Sequence, residues 1–120
     1  MKAAVTTENQ EVFQHFGKCQ TFTLAVIENG QIQSKGLLDA QGNGHSALVG
    51  LLQAQGVDTL VCGGIGQGAV DALSAAGIQV IRGCQGRVSM ILELLAQGLL
   101  KDNPSQVCDH HDHDGQEHTC

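Results

Sequence analysis

The sequence predicts a single α/β domain, with a mixed five-stranded sheet flanked by about three helices. Three stretches carry that expectation. Val57 to Val61 is a short apolar run with β-branched residues, Gly63, Gly64, Gly66 and Gly68 follow it, and Ala69, Val70, Leu73 and Ala76 then recur at helical spacing. The order strand, glycine turn, helix repeats from Gly77, through Ile78–Ile81 and Gly83, into a stripe of Val88, Ile91, Leu92 and Leu95 that Gly98 stops. Before both units, Phe22–Ile27 and Ile32–Leu38 flank Glu28-Asn29-Gly30-Gln31, the signature of a tight hairpin.

Taken in order, residues 2–7 form the first strand, and residues 8–18 are polar and irregular. The hairpin strands come next, the second of them antiparallel and less buried. Gly42-Asn43-Gly44-His45 opens a helix whose Leu48, Val49, Leu51 and Leu52 face inward, ending at Gly56; His45 reads as a local capping or surface residue. The alternating strands and helices that follow imply parallel pairing with right-handed crossovers. Pro104 ends the periodic pattern, which divides the chain into a domain at 1–103 and a tail at 104–120.

The core must be aliphatic, because the 120 residues include three Phe and neither Tyr nor Trp. No apolar run approaches a membrane span, and no signal-peptide segment follows Met1, so a cytoplasmic chain is expected. Net charge is −6, but Asp109, Asp112, Asp114 and Glu117 supply four of those negative charges, leaving residues 1–107 close to neutral. With no basic patch and no aromatic platform, nucleic acid is not an expected partner. Five cysteines form an odd set, which argues for reduced thiols or metal rather than a disulfide scaffold.

In parallel α/β sheets, ligands sit beyond the carboxyl ends of the strands. The loops at 8–18, 62–68 and 82–87 all follow strands and should share that rim. They would bring together glycine amides, two helix starts, His15, Lys18, Arg82 and Arg87, with Cys19, Cys62 and Cys84 nearby. Such a rim suits an anion. The glycines are also read as positions freed for positive φ and close approach. A Walker phosphate loop is excluded, since no Lys-Ser/Thr follows Gly68. Gly64-Ile65-Gly66-Gln67-Gly68-Ala69 fits the loose dinucleotide pattern, but Arg82-Gly83-Cys84 stands where the ribose-binding acid belongs. A nucleotide- or phosphate-sensing regulatory module is therefore the alternative reading. The leading one is a metal–sulfur cluster, a soft anion suited to thiols, imidazole and backbone amides.

From about residue 2 to 100 the chain resembles the small dinitrogenase iron–molybdenum cofactor biosynthesis domains, a family that includes cofactor carriers and a molybdenum–copper orange protein. The resemblance lies in the first strand, the Val12…His15-Phe16-Gly17…Phe22 segment, Gly63-Gly64-Ile65-Gly66 before a helix, and Ala76-Gly77-Ile78 with Gly83 and Gly86 behind it. It implies a ribonuclease H-like fold and a non-catalytic protein that carries a cluster of molybdenum with iron or copper between donor and acceptor proteins. It makes His15 the best candidate for touching the cluster. Gly17, Lys18, Cys19, Gly63, Gly64, Ile65, Gly66, Arg82, Gly83 and Arg87 complete the expected cofactor site, although the cysteines fit small buried hydrophobes at least as well. Nuclease chemistry is not expected, because Asp39, Asp58 and Asp71 do not converge as a carboxylate set.

The tail is a separate signal. Cys108, His110, His111, His113, His118 and Cys120 fall within thirteen residues, and Cys108-x-His110 mirrors His118-x-Cys120 about an Asp-Gly pair. A turn at Gly115 would bring two thiolates and two imidazoles together, a set that favours Zn²⁺, Ni²⁺ or Cu. The spacing is not that of a zinc finger, so the signal is compositional.

Overall fold

The structure, a computed structural model, describes residues 1–40 and 45–103, with the backbone alone at residues 45 and 46. At its centre is β1 (Lys2–Glu8), a run of small and β-branched residues that is buried on both faces. On one side it pairs antiparallel with β3 (Thr21–Glu28), from Lys2↔Val26 to Thr7↔Thr21, and β3 pairs antiparallel with β4 (Gln31–Asp39). On the other side β1 runs parallel to β5 (Thr59–Val61), which runs parallel to β6 (Gln79–Ile81). The sheet order is therefore β4-β3-β1-β5-β6, the expected five strands.

A sixth strand differs from expectation. Within the stretch read as irregular, β2 (Glu11–Val12) turns back and pairs with Thr7 and Glu8 of β1. Because β3 already holds the other side of β1 at Thr7, β2 lies on the β5 side, just beyond the point where β5 ends opposite Val5. The turn between β1 and β2 places Asn9 and Gln10 at φ of 53° and 69°. Asn suits that left-handed conformation; Gln, in the position where glycine is favoured, does not. No sequence signal marks such a hairpin.

Period-two alternation sends the strand residues to two cores. Ala4, Phe22 and Leu60 face α1 (His45–Ala54) and α2 (Gln67–Ala75), with Leu48, Leu52, Val70 and Leu73 packed against them. Ala3, Val5, Ala25, Ile27 and Val61 face α3 (Val88–Ala96) through Val88, Ile91, Leu92 and Leu95. Two helices thus cover one face and one helix the other, as the helical stripes predict. β4 is the exception to burial. Its residues are mostly exposed because it lies at the sheet's edge, and Leu37 is 75% exposed. Among the described residues no helix is long and apolar enough to cross a membrane.

Candidate functional site

The three loops after β1, β5 and β6 meet at one rim, and backbone hydrogen bonds tie them together. Gly64 N donates to Gln14 O (2.7 Å) and Phe16 N to Gly64 O (3.1 Å), so His15 and Gly64 form a parallel bridge beyond the end of β5. Gly83 N donates to Gly63 O (2.9 Å) and Cys84 N to Cys62 O (3.1 Å), which joins the second loop to the third. Val12 N to Gly86 O (2.9 Å) and Val88 N to Gln10 O (3.0 Å) join the third loop to the β1–β2 hairpin.

The glycines of the turn work differently from the expectation of positive φ. Among the described residues left-handed backbone occurs at Gly83 and Gly86, at 78° and 108°, but not at Gly63, Gly64, Gly66 or Gly68. What Gly63 provides is space: a Cβ there would collide with the carboxamide of Gln14. That carboxamide donates to Val12 O and Cys84 O, both at 3.1 Å, and so links the first and third loops across the glycine. Sequence reasoning passed over Gln14, and an isolated polar residue between Phe13 and His15 gives no signal of such a role.

His15 precedes a single 3₁₀ turn (Phe16–Lys18) that is anchored by Phe16, a fully buried ring 6.2 Å from that of Phe22. Burying a side chain of this size contributes about 2 kcal/mol, enough to hold the turn against the core. The imidazole is half-buried and meets Phe13 edge-on at 5.6 Å. Its Nδ1 is buried without a hydrogen-bond partner among the described residues. Buried polar atoms are normally paired, so an unpartnered imidazole nitrogen beside a glycine turn stands out. Gly17 lies half-buried in the turn and Lys18 is exposed. The ring borders a cavity of about 300 Å³, whose lining includes Glu8 and Glu11 as well as Gln14.

Several expected contributors have other work. Arg82 is committed to Asp102: its Nε donates to Oδ1 at 2.9 Å, a guanidinium NH₂ reaches Oδ2 at 2.6 Å, and its backbone N also donates to Oδ1 at 2.7 Å. The pair holds the Asp102 carboxyl below its ordinary range and raises the guanidinium. It pins the segment after α3 to the third loop, so Arg82 is not a free cation at the rim. Ile65 turns its side chain into the core, 1% exposed, and only its backbone belongs to the turn. Cys19 is likewise buried, its thiol donating to Thr21 O at 3.0 Å. Cys62 and Cys84 are buried too. Burial pushes all three thiols up, Cys84 to about 11. Arg87 is exposed, precedes α3 and lies opposite Glu11 across an antiparallel bridge. The rim is therefore built from backbone and one imidazole rather than from a ring of cations. Cys108, His110, His111, His113, His118 and Cys120 lie outside the described residues.

A comparison with known families decides the lineage, since residues 1–98 match the model described as dinitrogenase iron–molybdenum cofactor. The chain belongs to this family. An uncharacterised protein of Methanocaldococcus jannaschii, MJ0580, is 27% identical over 106 residues, spanning 84% of this chain and 90% of that protein. The crystal structure of PH0822 superposes with a TM-score of 0.80 at 25% identity, covering 86% of this chain and 95% of the other. The apo form of the orange protein from Desulfovibrio gigas shares the fold, with a TM-score of 0.69 at 22% identity over 85% of this chain and 92% of that one. The two structures match the domain as a single compact α/β unit. Family membership makes it a small domain of the cofactor-binding or carrier type.

Proposed function

We propose that this domain is a non-catalytic carrier of an anionic metal–sulfur cofactor, of the iron–molybdenum or molybdenum–copper kind, which it takes from donor proteins and passes to acceptor proteins. The observation that carries the reading is His15. The family's description, dinitrogenase iron–molybdenum cofactor, supports a cofactor as cargo, and this chain holds at its rim an imidazole that no described hydrogen bond fixes in one tautomer. A free imidazole lone pair suits a soft metal. Among the described residues no group of three or more His, Cys, Asp or Glu is placed to share one metal ion. The protein would therefore hold its cargo by one side-chain bond and by the backbone of the glycine turn. Glu8 and Glu11 beside the same cavity oppose tight retention of a net anion. That suits a cargo that must be released. The six tail ligands would serve as a capture site for Zn²⁺, Ni²⁺ or Cu that supplies or guards the cluster.

Purified anoxically after incubation with molybdate, copper and sulfide or with a cluster donor, the chain should acquire a visible absorbance and retain molybdenum through gel filtration. His15→Ala should load less at unchanged thermal stability. Equal loading of this variant removes His15 from the site, and failure of the parent chain to retain any metal under all of these conditions overturns the carrier reading. Truncation after Asn103 separates the two sites, because it should abolish Zn²⁺ or Cu binding and leave cluster loading in place.

A further inference from the structure

On the opposite side of the β1–β2 hairpin from His15, a cavity of about 200 Å³ lies between the start of α3 and the edge of the sheet formed by β3 and β4. Its register explains its composition. Lys35 and Leu37 stand opposite Ala25 and Thr23, on the face of the sheet that α3 covers, and Arg87 leads into α3 from the other wall. Lys35 and Arg87 are the two cations of the lining, and no carboxylate lines it. Neither forms an ion pair with a described residue, in contrast to Arg82. Glu11 stands opposite Arg87 across an antiparallel bridge without joining the lining, so two cations against one neighbouring carboxylate leave the concavity a net positive potential that an anion would neutralise.

The floor decides which kind of anion. Thr7 and Thr23 contribute hydroxyls, but their protons are already spent. Thr7 Oγ1 donates to Val5 O at 2.7 Å, so in the 2.8 Å contact between the two hydroxyls Thr23 must be the donor. What the floor offers a ligand is methyl groups, together with the exposed side chain of Leu37 above the buried Val88 and Leu92. A bare, strongly hydrated oxyanion would lose its water here without enough replacement donors. An anion carrying an apolar body would bury that body on the floor and keep its charge between Lys35 and Arg87. Gln10 fits the same picture. It holds a left-handed conformation that its side chain disfavours, and that side chain lines the cavity. Backbone strain of this kind concentrates at ligand sites.

We infer that this cavity is a binding site for a small organic anion with an apolar body, such as an aryl phosphate or carboxylate. The site is independent of the cluster reading, since none of its lining residues borders the His15 cavity.

Phenyl phosphate and inorganic phosphate are the probes, titrated into the ¹⁵N-labelled full chain and followed by amide chemical shifts. Phenyl phosphate should saturate in the millimolar range or tighter, with shifts centred on Thr7, Thr23, Arg87 and Ser89. Lys35→Gln and Arg87→Gln, with amide spectra otherwise superimposable on the parent, should each weaken it about tenfold, the loss of one charge contact. His15→Ala should leave it unchanged. Inorganic phosphate should bind at least about tenfold more weakly, for want of the apolar contact. The inference is overturned by equal affinity for the two probes, by shifts centred on His15 and Gly64, by insensitivity to both cation variants, or by no saturable shift at all.

Discussion

The carboxamide of Gln14 occupies the space in which a side chain at residue 63 would stand, and its two hydrogen bonds to Val12 O and Cys84 O depend on Gly63 having none. Gly63→Ala should therefore displace Gln14 and cost about 1–2 kcal/mol, the net value of the bonds lost. Gln14→Ala should cost a similar amount. The two changes should be far from additive: with Gln14 already truncated, Gly63→Ala should cost little. A double-mutant cycle by urea denaturation measures the coupling, and strict additivity would show that the contact carries no energy.

Arg82 and Asp102 form a two-pronged pair, with side chains 14% and 32% exposed. Partial exposure limits the stabilisation to about 1 kcal/mol. The Asp102 carboxyl titrates below its ordinary value, so the stabilisation is present above the ordinary aspartate range and is lost as pH falls through the depressed value. Asp102→Asn should lower stability at neutral pH and leave it nearly unchanged once the medium is acid enough to protonate the parent. Thermal melts of both proteins across that range test this, and a difference that persists in strong acid would contradict the ion-pair account.

Cysteine ionisation acts at the other end of the pH scale. Folding raises Cys84 from 9.0 to about 11, and Cys62 further, because burial disfavours the thiolate. A group whose value is raised on folding stabilises fully below its unfolded value and loses that contribution as pH climbs through the folded one. Stability should thus decline above about pH 9, and Cys84→Ala should flatten part of that decline. At pH 8, Cys19, Cys62 and Cys84 should alkylate with iodoacetamide far more slowly than a free thiol, as peptide mass spectrometry would reveal. Rapid labelling of all three would mean that the loops open readily.

Gln10 offers a test of strain against function. Its φ of 69° costs about 1 kcal/mol relative to glycine, although glycine loses more entropy on folding. Gln10→Gly should leave stability level or raise it slightly while weakening phenyl phosphate binding, because one wall of the cavity is lost. A sharp fall in melting temperature would mean that the side chain, and not only the backbone, holds the hairpin.

The sequence carried the architecture because its signals were local. The glycine-punctuated repeats at 57–77 and 78–98 and the Asn29-Gly30 turn each fix an element from neighbouring residues, and Gly30 and Asn29 do adopt the left-handed conformation that the turn requires. The meeting of three loops at one rim also followed from strand order. What the sequence hid were pairings across long separations. Asp102 neutralises Arg82 from twenty residues away, and Gln14 reaches Cys84 across seventy. Lys35 reaches the wall of the second cavity only through the register of β4 against β3. The hairpin at Glu8–Glu11 escaped notice because Asn-Gln is an unusual pair at the tip of a two-residue turn. The family's glycines were legible as a motif, but their purpose was legible only with Gln14 in place.

Beyond the end of β5, the Gln14–Gly64–Phe16 ladder continues the sheet by one more rung, so the rim is woven rather than draped. A visitor to it meets a floor that is already set and pays nothing to organise it. Under the carrier proposal, unloading for the same reason would not rely on the floor giving way. It would have to be won by a rival surface that grips the passenger harder, which would leave the timing of transfer to the recipient.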